Sequence, residues 1–151
     1  MNKIIVSLIL LFLTATNALS SQSADLHASN VRTITNNIMD ISLAFVEDEE
    51  NNDVFARRYG FGSNLEQFTS QALMFNQVTA LVSDEAHLSK KSLKRYRAIC
   101  ESFRESCDYY LKALDSYSKE HDLKGYSEII KQYIVEVEKL MNLADRNSKI
   151  E

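Results

Sequence analysis

The chain has 151 residues, the length of one domain, with 45% hydrophobic residues, 25% charged residues and a formal net charge of −4. That balance excludes a bulk-disordered chain and a wholly membrane-embedded one, and two cysteines are too few for a disulfide scaffold. With no proline and only three glycines, the chain lacks the turn residues that sheet proteins need, so the expected fold class is all-α.

The first element is an address. Lys3 is the only charge in residues 1–20, and an apolar run from Ile4 to Leu13 is followed by small residues ending Ala18-Leu19-Ser20. This is the pattern of a cleaved secretory signal peptide, and the run is shorter than the ~20 residues that span a bilayer. Cleavage is expected after Ser20, with Ala18 as the alternative site. Residues 21–151 then form a single exported domain, periplasmic or secreted. Removal of Lys3 takes its net charge from −4 to −5. No N-x-[ST] acceptor occurs, which suits a bacterial export.

Four stretches then repeat apolar residues in steps of three and four, the spacing of a buried helix face. Val31, Ile34, Ile38, Ile41 and Phe45 mark the first, expected over 25–50 behind a fraying polar start at 20–30. Leu65, Phe68, Ala72, Phe75, Thr79 and Val82 mark the second, over 64–83, with Ser63-x-x-Glu66 as its capping box. The third, over 89–121, runs from Leu93 and Tyr96 through Cys100, Phe103, Cys107, Tyr110, Leu114 and Tyr117 to His121. The fourth, over 125–147, carries Tyr126, Ile130, Tyr133, Val137, Leu140 and Ala144. Short links favour an antiparallel up-down-up-down four-helix bundle. The alternative is a long helical hairpin or coiled coil, because the apolar phase survives between the second and third stretches. There Ser83, Asp84 and Ser89 are the candidate caps.

Chemistry is sparse. Cys100 and Cys107 stand seven apart on one helix face, ~10.5 Å along the axis, too far for a mutual disulfide. They are expected either as buried thiols or as an intermolecular bridge between two copies. No set of His, Cys, Asp and Glu has metal-ligand spacing, and no nucleophile–base pair, phosphate loop or haem attachment motif occurs. The expectation is therefore no catalytic residue, no metal, no cofactor and no enzymatic activity. His121 is expected as a helix-end residue.

Charge and exposed aromatics supply the candidate contacts. Arg57, Arg58, Tyr59 and Phe61, in a presumed loop with Gly60 and Gly62, have the composition of a recognition segment. Lys90, Lys91, Lys94 and Arg95, with Arg97 behind them, open the third helix, where positive charge opposes the helix dipole and suits anionic groups. The acidic run Glu47–Glu50 with Asp53 sits at the other end of such a bundle. The tyrosines on the third and fourth stripes are expected to reach the surface with their hydroxyls. The leading expectation is an exported interaction module for a protein or envelope component. A possible homodimer fits the same pattern. The alternatives are a small-ligand or haem carrier, and a membrane-surface binder acting through the basic start of the third helix. Nucleic acid is disfavoured by the leader and the acidic balance.

Overall fold

The computed structural model describes residues 23–43, 52–84, 88–117 and 124–149; side chains are described for 23–43, 62–84, 88–115 and 125–149. The expected leader, the acidic run Glu47–Glu50, His87 and His121 lie outside the described residues. Four helices make up the described chain: α1 (23–43), α2 (Asn52–Asp84), α3 (Lys90–Tyr117) and α4 (Lys124–Asn147).

The three-four stripes form the core. Of the described residues that mark them, all but Ile41 and Val82 are buried, and those two pack half-buried against the rest. Phe68 stands at the centre. Its ring lies 4.7 Å from Tyr110, 6.0 Å from Phe103 and 6.3 Å from both Tyr126 and Tyr133. Phe75 stacks on Phe103 at 4.3 Å, and Phe103 meets Tyr133 edge-on at 5.1 Å. Such pairs add to the area they bury, and truncating a buried Phe to Ala costs about 3–5 kcal/mol.

Contacts between helices close a ring. Ser42 meets Thr69 and Asp25 meets Ser83 between α1 and α2. Between α2 and α3, Thr79 meets Tyr96 and Phe68 meets Tyr110. Arg97 pairs with Asp145 at 3.0 Å and Arg104 with Glu138 at 2.9 Å between α3 and α4. His27 meets Glu136 and Thr35 meets Tyr133 between α1 and α4. In each of these four pairings, residue numbers rise on one helix as they fall on the other.

Three expectations are corrected. Helices α2 and α3 are separate and pack on each other, so the continuous-helix alternative fails. Ser89 caps α3, accepting the Ser92 N–H at 3.1 Å while its own carbonyl takes the first helical bond, from Leu93. Ser63-x-x-Glu66 caps nothing, because α2 already begins at Asn52. Gly60 and Gly62 do not break it, since a glycine costs a helix only about 1 kcal/mol. The polar start does not fray from residue 23 onward: Asp25 and His27 are tied to α2 and α4.

Candidate functional site

The sequence-predicted site residues fall into separate places. Arg57, Arg58, Tyr59 and Phe61 belong to helix α2 rather than to a loop, and their side chains lie outside those described. Lys90, Lys91, Lys94 and Arg95 come together, exposed, around a shallow depression of about 430 Å³ floored by Ala98. Among the described residues, Lys91, Lys94 and Arg95 make no ion pair. Arg97 turns away from them and is held by Glu101 at 2.9 Å and by Asp145.

Cys100 and Cys107 are both fully buried and unbridged. Burial pushes each thiol up to about 12, so the nucleophilic thiolate is suppressed. Neither sulfur reaches the surface of the folded chain.

The tyrosines also depart from expectation. Tyr96 donates to the Thr79 hydroxyl at 3.1 Å, and the Tyr133 hydroxyl is bonded to Thr35, which in turn donates to the Val31 carbonyl at 2.7 Å. These hydroxyls stay inside because a threonine on a facing helix satisfies each one. Burial raises the Tyr96 and Tyr133 pKa values above the ordinary value.

One charged group was not foreseen. Glu136 is buried to 7% exposure between α1 and α4. Its carboxylate accepts from His27 Nδ1 at 2.8 Å and from Lys139 Nζ at 2.6 Å. Burial alone would raise its pKa; the hydrogen bonds from Lys139, His27 and Asn30 outweigh burial and hold it below 4.5. The signal was present in its spacing, three residues after Tyr133 and four before Leu140, at the margin of the fourth stripe. Beside it, a surface groove of about 500 Å³ is lined by Asn30, Thr33, Asn37 and Gln132 together with charged Glu128 and Lys131 and apolar Ile34 and Val135.

The outer surface is divided by charge. The α3/α4 seam is crossed by Arg97–Asp145 and Arg104–Glu138, with Arg104–Asp108 alongside. The α2/α3 side is different. Residues 67–83 contain no charged side chain. On α3, the flank turned from α4 carries Ile99, Ser102, Ser106 and Tyr109, with exposed Arg95 one turn before Ile99 and exposed Glu105 at its outer edge. Exposure here is high for apolar groups: Met74 and Leu81 are each 68% exposed, Tyr109 62% and Ile99 41%. Gln71, in the seam, has a buried Oε1 without a hydrogen-bond partner. Apolar packing and the Tyr96–Thr79 hydrogen bond join the two helices.

Among the described residues no group of three metal-ligating side chains gathers, and no helix is long and apolar enough to cross a membrane. No protein-family model matches the chain, and no curated protein or solved structure matches it either.

Proposed function

We propose that this protein is a non-enzymatic, exported interaction module whose contact surface is the α2/α3 face. The observation that carries the proposal is the exposure of Met74 and Leu81 on α2, where residues 67–83 hold no charge, beside exposed Tyr109 of α3, in a molecule whose α3/α4 seam is laced with ion pairs. Scattered apolar residues are ordinary on a surface, but an extended uncharged patch with large apolar side chains marks a binding region. The signal-peptide pattern of residues 1–20 supports export. The aromatic filling around Phe68 favours this reading over a carrier that holds its ligand between the helices. The test is a photo-crosslinking amino acid placed at Gln77, on the crest of the face, and at Asn142 as a control. Adducts formed in the host from position 77 and not from 142 support the module; equal or absent labelling at the two positions overturns it.

A second reading rests on Lys90, Lys91, Lys94 and Arg95, four exposed cations at one helix start. Anionic membrane surfaces attract such clusters by ~1 kcal/mol per basic residue. Sedimentation with vesicles of phosphatidylglycerol tests it: binding lost on combining Lys91→Glu with Lys94→Glu supports it, and binding absent in the unaltered protein removes it.

A further inference from the structure

We infer that the basic start of α3 and the apolar side chains beside it, Leu81 and Ile99, form one surface that docks on an anionic lipid bilayer, with Leu81 entering the headgroup layer; the inference rests on the second reading above and adds an apolar contact to it.

The first observation is the placing of the cations. Lys90, Lys91, Lys94 and Arg95 are exposed in the first two turns of α3, around a depression of about 430 Å³. Like charges four residues apart on a helix repel, and at its N-terminus each cation also opposes the dipole. Further along α3, Arg97 and Arg104 are each held between two carboxylates. Among the described residues, Lys91, Lys94 and Arg95 have no such pair. The Arg97–Asp145 pair brings the last turn of α4 to the same end of the bundle, where Arg146 and Lys149 are also exposed. An anionic bilayer supplies counter-charge to such a cluster, about fivefold in partition for each basic residue near it. The chain as a whole carries −4, so the approach is oriented, with this end foremost.

The second observation is the apolar company those cations keep. The Tyr96–Thr79 hydrogen bond sets the register of α3 on α2. The two helices run antiparallel, so Leu81, two residues after Thr79, stands level with Lys94, two residues before Tyr96. Ile99 follows Arg95 by one turn. Leu81 is 68% exposed and Ile99 41%. A free phosphate has no use for either side chain. A bilayer has, because it offers anionic groups at its surface and hydrocarbon just beneath them. Lysine stems lie along that boundary with their ammonium groups at the phosphates.

The third observation is the limit of the surface. Glu101 and Glu105 are exposed about 10 Å and about 16 Å beyond Lys94 along α3. Their charge keeps that part of the helix off an anionic bilayer. Met74 stands level with Glu101 and stays outside with it. The molecule therefore stands on its basic end rather than lying flat along α2 and α3.

The experiment uses the chain from residue 21. Both native cysteines are buried, so Leu81→Cys and Asn142→Cys each add one reactive thiol for a nitrobenzoxadiazole dye, the second at an exposed position on the α3/α4 side. The vesicles are phosphatidylglycerol or phosphatidylcholine. The dye at 81 should brighten severalfold and shift to the blue on phosphatidylglycerol alone, and the dye at 142 should respond to neither. In sedimentation with phosphatidylglycerol vesicles, Leu81→Ser should weaken partition roughly tenfold, the loss expected on removing a buried leucine side chain. Circular dichroism checks that each variant keeps the fold. Binding that needs Lys91 and Lys94 but is indifferent to Leu81→Ser, with no dye response at 81, overturns the inference and leaves the second reading standing. An unaltered protein that does not partition onto phosphatidylglycerol overturns both. An equal response on phosphatidylcholine overturns the inference as well, since charge would then select nothing.

Discussion

Two buried tyrosine hydroxyls in this protein are each held by a threonine on a facing helix. Tyr133 and Thr35 satisfy each other across α4 and α1, and Tyr96 leans on Thr79. The apolar stripes were legible in the sequence because their period is that of a helix. The inward direction of the tyrosine hydroxyls was not, because it depends on which threonine faces them from another helix. Glu136 was missed for the same reason: its donors His27 and Asn30 stand more than a hundred residues earlier. Its behaviour is testable by pH. The folded-state pKa lies below the ordinary value of 4.5, so the unfolded chain binds more protons between the two values. The stabilisation it provides is complete above the ordinary value and is lost as pH falls through the folded one. Glu136→Gln should therefore melt below the unaltered protein at pH 7. The gap should narrow as pH falls below 4.5. A gap of constant size across the acid range would show that the ionised form contributes nothing.

Among the helices, α2 was the hardest to delimit. Residues 63–66 satisfy the capping-box pattern, but the same four residues sit without conflict inside a helix. Two glycines nearby made an interruption look natural. The phase of the stripe held the better clue: Val54, Phe61, Leu65 and Phe68 keep helical spacing across both glycines. The presumed recognition loop was a consequence of that misplaced start, and its candidates Arg57, Arg58, Tyr59 and Phe61 move onto a helix with it. The start of α3 was legible because Ser89 is a strong cap and the basic cluster follows at once. The remaining glycine offers a prediction. Gly125 is the second residue of α4, its backbone does not adopt positive φ, and nothing lies within 4 Å of where a Cβ would stand. Gly125→Ala should raise stability by about 0.4–1 kcal/mol in chemical denaturation, chiefly by restricting the unfolded chain. A loss of stability would mean that α4 begins later than residue 125.

For the molecule as a whole, two opposite sides of the helix ring are specialised differently. On the α1/α4 side lie the groove and the buried Glu136; on the α2/α3 side lie the exposed Met74, Leu81 and Tyr109. Neither could be read from the sequence, since each is made of residues from two helices whose mutual rotation only packing determines. The four-helix composition was legible from proline, glycine and periodicity alone. Export makes its own prediction: the protein recovered from its host should begin at residue 21, or at 19 for the alternative site. An intact Met1 on the exported protein would rule out cleavage.

The two buried cysteines have a consequence for how long a molecule survives. In an oxidising compartment, a thiol persists only while it is shielded, and Cys100 and Cys107 are shielded by the same packing that holds α3 in the core. Each opening of the bundle therefore exposes both sulfurs at once, and an oxidant that arrives before reclosure leaves a chain that cannot repack. Native protein should resist alkylation by iodoacetamide, and labelling, once it begins, should appear on both cysteines together, at the rate of global opening.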